Sequence, residues 1–266
     1  MTVRRQRGFA VLLVMSMAAL LALLGTKLTA AGRTEAQIAR NLRDAAEAEA
    51  AADGAIAEAL FHLQATGPQG WGVDGRVHRF QVGAAAVEVR LESETGRLNP
   101  NTAPVAVLAS LLRQIGLAPD AAGKLAGAIF DWHTQGSLSV AGGTKEAAYR
   151  AAGRTNGPTG RPFETVGELE LVLGMTPQIL ARLRPLLSVY NEAGVDARFA
   201  SPELRTALSA AGLGFDTPDP TNTVLAATAI ALLPSGARAT RRAVIQPRRS
   251  GDGTPFRILT WENPDL

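Results

Sequence analysis

The chain has 266 residues, which is enough for one or two domains with a substantial hydrophobic core. It contains no cysteine, so disulfide staples, thiol catalysis and cysteine metal sites are excluded. The net charge is +3, and the pI of about 9.8 reflects an excess of arginine, so the pI overstates any case for nucleic-acid binding. Outside the N-terminus, the basic residues cluster on what we interpret as solvated strand faces, at Arg238, Arg241, Arg242, Arg248 and Arg249.

The N-terminus combines a basic head with an apolar run. Three arginines lie among the first seven residues, and residues 9–26 carry no charge, which is near the lower length limit for a helix that spans a bilayer. Because basic residues stay on the cytoplasmic side, we predict a single-pass transmembrane helix over 9–30 with the bulk of the chain on the far side. A secretory signal would be cut after the run, where residues 26–31 form a weak site, and a plain signal anchor is the other alternative.

The helix is predicted to continue beyond the apolar run. Small or apolar residues, with one carboxylate among them, recur three and four positions apart at Ile38, Leu42, Ala45, Glu49, Ala52, Ile56, Leu60 and Leu63. A helix from Phe9 to about Gln64 would be about 80 Å long at 1.5 Å per residue. We expect its first half to lie in lipid or a helix bundle and its second half to lie on a domain.

Alternating apolar residues predict β-strands on both sides of the central part of the chain. The first two strands are predicted over 78–82 and 87–91, on either side of Gly83. Three more are predicted near the end of the chain, over 224–233, 241–246 and 256–261. The last two should form a hairpin, because the turn between them contains Gly251 and Gly253, which adopt positive φ at low cost.

The central residues, 96–213, are predicted to form short helices, most of them opened by a capping side chain and an early-helix proline or glutamate. The starts are Asn101-Thr102 before Pro104, Pro119, Thr165 with Glu168, Thr176-Pro177 and Ser201-Pro202. Pro185 should end the fourth helix near Arg184. Residues 136–160 are rich in Gly, Thr and Ser, and we predict a mobile surface loop there.

No constellation of residues predicts catalysis, a metal site or a cofactor site. The three histidines, at positions 62, 78 and 133, share no metal-ligand spacing. Asp131-Trp132-His133 has no accompanying nucleophile motif, so we interpret it as a helix end with a packed tryptophan. Gly142-Gly143-Thr144-Lys145 lacks the first glycine and the preceding strand of a P-loop, which favours a structural loop. We therefore predict that the chain is not an enzyme.

The alternative function is DNA binding by a membrane-anchored receptor. Residues 164–187 resemble a helix-hairpin-helix, a module that holds phosphate through backbone N–H groups in a tight turn with, usually, two glycines. Here the turn over 173–177 has one glycine and places Pro177 where a donor is needed. Arg182 and Arg184 suit a solvated face equally well, so we predict no nucleic-acid partner.

Several motifs follow one another in an order that is specific as a set, although each alone is generic. Arg7-Gly8-Phe9-Ala10 resembles the leader of type IV prepilins. The other motifs are Gly-x-Leu-Asn-x-Asn-Thr-Ala at 96–103, Ile-Phe-Asp-Trp at 129–132, Gly143 with Glu146 and Tyr149, Pro-Phe-x-Thr-Val-x-Glu-Leu at 162–169, and Leu-Gly-Met-Thr at 173–176. Together with the closing strand they make the whole chain resemble the K-type minor pseudopilins of type II secretion.

The resemblance implies an α+β fold in which a long, type IV pilin-like N-terminal helix packs on an antiparallel sheet, with a large all-α domain inserted between strands. The implied domains are a prepilin leader over 1–8, a transmembrane helix over 9–30, a pilin-like α/β domain over 31–95 and 214–266, and the inserted α-helical domain over 96–213. This division agrees with the strand, helix, strand order predicted from the residues.

The resemblance also implies a structural subunit at the tip of the periplasmic pseudopilus, which serves protein export across the outer membrane. The bulk of the chain would be periplasmic and the helix would be anchored in the bacterial inner membrane. Prepilin peptidase would cut after Gly8 and methylate the amine of Phe9, and the chain would assemble with other minor pseudopilins. Most pilins carry Glu where this chain has Leu13, and that carboxylate meets the Phe amine of an adjacent subunit. Its absence fits a subunit with no neighbour beyond it.

Some members of this family bind calcium in the helical domain. In this chain Asp131-Trp132 is followed by residues 133–136, His-Thr-Gln-Gly, which supply too few carboxylates for an oxygen cage. We therefore predict no metal site here.

Overall fold

The computed structural model describes residues 6–65, 67–140, 142–155, 157–215, 223–248 and 255–263, with side chains of the first helix described over 9–23 and from 33 onward. The first five residues, Arg249 and the predicted turn at 250–253 lie outside the described residues.

The first helix, α1, runs from Gln6 to Gln64, which confirms the prediction of one helix ending near Gln64. Alanine dominates its second half and no proline interrupts it, so the intrinsic preference for helix is sustained. At 1.5 Å per residue, α1 is about 90 Å long. Gly67, with a φ of 78°, then turns the chain, and Pro68 follows it.

The N-terminal part of α1 presents an exposed apolar surface over residues 9–23, where Phe9 is 70% and Leu13 is 53% exposed. No helix in the described part of the chain is long and apolar enough to cross a membrane. The predicted span over 9–30 includes residues whose side chains lie outside the described part. The membrane span therefore stays a prediction.

One antiparallel sheet of five strands is present in the described residues, in the order β1 to β5. The strands are β1 (Val77–Val82), β2 (Ala85–Ser93), β3 (Leu225–Leu232), β4 (Arg238–Pro247) and β5 (Phe256–Glu262). These bounds confirm the five predicted strands to within a few residues. β2 and β3 pair directly, with Val89 opposite Ala229, although residues 94–224 separate them in the chain.

The second half of α1 packs on one face of this sheet. Only the later part of the predicted stripe is buried there, at Ala52, Ile56 and Leu60, with Leu63 half-buried, whereas its earlier members are exposed, namely Ile38, Leu42, Ala45 and Glu49. The buried face is mostly alanine and consists of Ala48, Ala51, Ala52, Ala55, Ile56, Ala59 and Leu60. It shares one core with the alanines at 227, 229 and 231 of β3. Small side chains on both surfaces let the helix and the sheet approach closely.

Replacing Ala52 with leucine is expected to lower the free energy of unfolding by about 1–3 kcal/mol, because this fully buried position has no room for extra methyl groups. The matched control is Ala57→Leu on the exposed face of the same helix, where a change of less than about 0.5 kcal/mol is expected. Urea denaturation followed by circular dichroism measures both variants. Equal effects at the two positions would contradict close packing of α1 on the sheet.

The residues between β2 and β3 form mostly helices. The α-helices are α2 (Val105–Gln114), α3 (Pro119–His133), α4 (Lys145–Ala151), α5 (Pro177–Leu183) and α6 (Pro202–Ala210). Short 3₁₀ turns cover Glu94–Gly96, Val166–Leu171 and Arg184–Leu186. Apolar side chains from these helices form a second core, distinct from the core under α1, and it includes Trp132, Tyr149 and Phe163.

Two predicted helix caps are confirmed. The Thr176 hydroxyl accepts a hydrogen bond from the Ile179 backbone N–H at 3.3 Å, and Ser201 caps α6 in the same way at 3.2 Å. α5 ends at Leu183, two residues before Pro185, as predicted.

The predicted side-chain cap of α2 is wrong. Pro104 itself occupies the cap position, where its side chain makes no hydrogen bond. The side chain of Asn101 instead bonds both backbone groups of Phe163, donating to the carbonyl at 3.0 Å and accepting from the N–H at 2.8 Å. The Asn101 side chain therefore bonds a distant backbone segment instead of capping α2.

The prediction of a mobile loop over 136–160 is wrong for its centre, which forms α4. Tyr149 of α4 is 3% exposed and packs in the helical core, and its hydroxyl accepts a hydrogen bond from the Leu173 N–H at 2.9 Å. Gly142 and Gly143, at φ values of 92° and 77°, form the turn before α4, in agreement with the structural loop predicted there.

The contacts of α1 show near which end of this helix the chain passes from β2 into residues 96–213. Gly54, in the middle of the second half of α1, lies beside Val82 at the end of β1. Near the end of α1, His62 stacks on Trp71 with ring centroids 4.3 Å apart. The other face of Trp71 stacks on His78, near the start of β1, with ring centroids 3.9 Å apart. β1 therefore runs back along α1, and β2 runs towards the C-terminal end of α1. Residues 96–213 follow β2 at that end, opposite to the apolar segment 9–23.

Candidate functional site

The predicted site residues at the N-terminus all lie in α1. Gly8 precedes Phe9 within the helix, and Leu13 follows Phe9 by four residues, which places Phe9 and Leu13 on the same face, one turn apart. Residues 9–23 contain no charged side chain. This part of α1 offers hydrocarbon to its surroundings and no carboxylate that could bind an amine.

A buried charge cluster lies where the chain leaves the sheet for the helical residues. We call Glu94, Arg97 and Arg242 the junction cluster. Glu94 is 1% exposed, and its Oε1 atom accepts hydrogen bonds from Arg97 Nη1 at 2.8 Å and from Arg242 Nη2 at 2.6 Å. The cluster thereby ties the 3₁₀ turn after β2 to β4. A carboxylate this deeply buried is stable only because both guanidinium groups neutralise it.

The junction cluster corrects the prediction that the C-terminal arginines cover solvated strand faces. Arg242 is 21% exposed at its side chain and belongs to the cluster. Arg241 is 12% exposed and joins β4 to α1, with Nη2 2.9 Å from Glu49 Oε2 and Nε 3.0 Å from Asp53 Oδ1. Arg238 and Arg248 are exposed, as predicted. Two of the arginines therefore hold the fold together.

Backbone pairing holds the chain that leaves β2 beside residues 186–188, which follow α5. Leu98 donates its N–H to the Leu186 carbonyl at 2.9 Å and accepts from the Ser188 N–H at 3.0 Å. The Asn191 amide donates to the carbonyls of Arg97 and Gly194, each at 2.7 Å. The chain that leaves β2 is thus fixed to residues 186–194 by hydrogen bonds.

Asp196 adds a further link at this junction. Its backbone N–H donates to the Thr95 carbonyl at 2.8 Å, and its carboxylate accepts hydrogen bonds from the Arg198 guanidinium, the shortest at 2.6 Å. The Arg198 hydrogen bonds lower the pKa of Asp196, and burial opposes them in part. The stabilisation is therefore present above the pKa of an unfolded Asp and is lost as the pH falls through the lowered value.

Lys145 supplies a buried positive charge at the C-terminal end of α3. The side chain is 5% exposed, and its ammonium donates to the Asp131 carbonyl at 2.8 Å, to the Thr134 carbonyl at 2.8 Å and to the Thr134 hydroxyl at 2.9 Å. Carbonyls at a helix C-terminus have no partner within the helix and carry partial negative charge. The Lys145 ammonium donates hydrogen bonds to these carbonyls and offsets their partial negative charge.

The Asp131-Trp132-His133 segment has the structural role predicted for it. α3 ends at His133, and Trp132 is 2% exposed and stacks on Phe163 with centroids 6.3 Å apart. Burial lowers the pKa of His133 and the charge of Lys145 lowers it further, which favours the neutral imidazole. Ser139 donates to the Asp131 carboxylate at 2.6 Å, so the three residue types do not line up as a triad with histidine in the middle. The described residues contain no group of three or more metal-binding side chains.

The geometry does not favour the DNA-binding alternative. The first arm of the proposed hairpin is a 3₁₀ turn over Val166–Leu171, and Gly174, at a φ of 87°, is the one glycine of the following bend. Arg182 and Arg184 are both exposed, and the Arg182 guanidinium donates to the Ile115 carbonyl at 2.7 Å. Two side chains, one of them already bonded to a backbone carbonyl, do not replace the backbone N–H donors with which such hairpins hold phosphate.

The sequence predictions include neither the burial of the junction cluster and Lys145 nor their contacts. Glu94 and Arg97 stand three residues apart, a spacing that indicates a local ion pair. Nothing in the local sequence indicates Arg242, which is 148 positions from Glu94. Lys145 lies in a Gly-rich and Thr-rich stretch that gave no sign of burial.

Comparison with known proteins gives two matches. Residues 79–192 match the family model described as Type II secretion system (T2SS), protein K. The fold resembles a chain in the crystal structure of the GspK-GspI-GspJ complex from the type 2 secretion system of enterotoxigenic Escherichia coli, with 14% sequence identity and a TM-score of 0.60. The likeness covers 87% of this chain and 98% of that chain. No curated protein matches the chain.

The matched residues begin in β1, include Glu94, Arg97 and Lys145, and end just after Asn191. The structural similarity covers most of the chain. The described residues combine helices with one antiparallel sheet of five strands. Together, the family model over 79–192 and the likeness of fold over most of the chain support a minor pseudopilin of the K type from type II secretion.

Proposed function

We propose that this minor pseudopilin occupies the tip of the pseudopilus, with α1 as its membrane anchor and assembly helix. The supporting observation is the placement of two unlike surfaces at the two ends of α1. The exposed apolar residues 9–23 lie at one end, and the helical residues 96–213 follow the sheet at the other. In this proposal the sheet and α1 form a pilin-like domain, and 96–213 is a bulky inserted domain that blocks addition of a subunit beyond it.

Membrane anchorage follows from the apolar, uncharged segment and the basic head before it. Residues 1–8 act as a prepilin leader, the helix over 9–30 lies in the bacterial inner membrane, and the domains lie in the periplasm. Before assembly, prepilin peptidase removes the leader after Gly8 and methylates Phe9.

Other minor pseudopilins are the proposed partners. The amine of Phe9 in the mature chain would pair with a glutamate in the membrane segment of an adjoining subunit, since a charge at that depth needs an opposite charge. Leu13 cannot accept the amine of another subunit in return. A chain that offers the amine but not the carboxylate fits one end of the assembly.

The proposed role is structural and involves no reaction. Among the described residues, Asp131, His133 and Ser139 come nearest to a catalytic set, and the hydrogen bonds of the Asp131 carboxylate, from Ser139 and Val140, hold residues 139 and 140 at the end of α3. The charged groups of the junction cluster pair with one another, and Glu92 and Glu262 supply further carboxylates to the two arginines. This proposal therefore assigns no substrate and no cofactor to the chain.

The mature N-terminus tests the processing step. When the full gene is expressed together with prepilin peptidase, we expect mass spectrometry to find a chain that begins with N-methylated Phe9. A Gly8→Val variant is the control and should remain uncut, because the small residue before the cut is lost. A chain that begins near Ala31, or one that keeps its N-terminal Met1 with the peptidase present, would show that the proposal is wrong.

A further inference from the structure

A cavity of about 560 Å³ lies between α3, α4 and α5, away from the junction cluster. Its walls are mostly apolar and include Leu117, Leu125, Ala128, Leu173 and Ile179. A volume of this size is within the range of sites that hold small molecules. Exposed Ala121 and Lys124 belong to its lining, so the cavity reaches the surface along α3.

The polar groups inside the cavity already have partners. The Asp131 carboxylate accepts hydrogen bonds from the Ser139 hydroxyl at 2.6 Å and from the Val140 N–H at 3.2 Å. The Lys145 ammonium is bonded to three oxygens, and the Tyr149 hydroxyl accepts from the Leu173 N–H. A peptide that entered the cavity would leave its amide groups without partners, which is costly, whereas a hydrocarbon chain has no such groups.

One cation is available where the cavity meets the solvent. Lys124 is exposed, and its ammonium takes part in none of the ion pairs formed by the described residues. An apolar interior with a cation at the rim matches a ligand that has a hydrocarbon chain and a terminal carboxylate. We propose that the cavity binds a medium-chain fatty acid, with its chain against α3 and α5 and its carboxylate beside Lys124.

Photolabelling locates the site directly. The full-length protein in lipid nanodiscs is irradiated with a dodecanoic acid that carries a diazirine on its chain, and the labelled peptides are mapped by mass spectrometry. We expect label on α3 and α5, and we expect an Ala128→Phe variant to lose it because the larger side chain fills the cavity. Label confined to residues 9–23, or label on α3 that persists unchanged in Ala128→Phe, would overturn the proposal.

Affinity measurements test the two parts of the ligand separately. From octanoate to decanoate, each added methylene should tighten binding about fourfold while the cavity has room. Lys124→Gln should weaken decanoate binding about two- to fivefold and leave decanol binding unchanged, since only the acid carries a charge. Binding without dependence on chain length, or equal loss for the acid and the alcohol, would contradict the proposal. These measurements decide the matter even if Ala128→Phe does not fold.

Discussion

Replacing Glu94 with alanine is expected to lower the free energy of unfolding by about 3–5 kcal/mol. The substitution leaves Arg97 and Arg242 near each other, 19% and 21% exposed at their side chains, without the buried carboxylate they share and with only their outer partners, Glu92 and Glu262. Removing one member of a buried ion pair costs more than the pair itself contributes, because the remaining charge stays out of water. Urea denaturation of the full-length protein in detergent, followed by circular dichroism, measures the change.

The control for this experiment is Glu88→Ala, which breaks an ion pair of similar length at the surface. Glu88 Oε1 lies 2.7 Å from Arg79 Nε, but both side chains are largely in water. Surface pairs contribute about 0–1 kcal/mol, so we expect a correspondingly small effect. If Glu94→Ala were as mild as Glu88→Ala, the junction cluster would not be what holds the helical residues to the sheet.

Replacing Lys145 with methionine is the second substitution with a large expected effect, a loss of about 3–4 kcal/mol of unfolding free energy. Methionine keeps most of the side-chain volume but cannot donate hydrogen bonds to the carbonyls of Asp131 and Thr134. Each buried polar group left without a partner costs about 1–3 kcal/mol. The end of α3 should then loosen, and hydrogen exchange of its last turn should become faster.

Lys124→Met provides the comparison on α3, the helix whose end Lys145 binds, because Lys124 is exposed and forms no ion pair among the described residues. We expect its stability to stay within about 0.5 kcal/mol of the unchanged protein. A Lys145→Met variant with normal stability and slow exchange in α3 would show that water replaces the ammonium without cost. The conclusion that Lys145 stabilises the end of α3 would then be wrong.

The parts of this fold that sequence alone predicts are those set by local periodicity. α1 was predictable because apolar and small residues repeat with helical spacing from Ile38 to Leu63, and no proline intervenes. The strands were predictable because Val87, Val89 and Leu91 alternate with charged residues. Local proline and glycine signals likewise place the start of α5 and the turn before α4.

The parts that failed depend on partners far away in the chain. Asn101 has the residue type of a helix cap, but its side chain bonds the backbone of Phe163, 62 positions away. α4 was hidden because seven residues within a Gly-rich stretch give little periodic signal, and its position depends on Tyr149 entering a core built by other helices. Propensity is a weak prior where tertiary packing supplies most of the stabilisation.

The residues of the candidate site likewise fall into those that a short motif predicts and those that only distant contacts bring together. Gly8, Phe9 and Leu13 are predicted from a short motif, since the proposed processing and the apolar surface depend on adjacent residues. The junction cluster needs β4 to pass beside the end of β2, and only the folded sheet brings Arg242 to Glu94. Sequence alone can therefore predict a membrane segment, but not the contacts that hold the helical residues in place.

Assembly with partner subunits is the most direct test of the central claim. The full-length, processed chain would be mixed in detergent with the I-type and J-type minor pseudopilins of its own organism and examined by native mass spectrometry. A tip subunit should form one stable complex that contains all three chains. A chain that stays alone beside an I–J pair, under conditions in which that pair forms, would contradict the account.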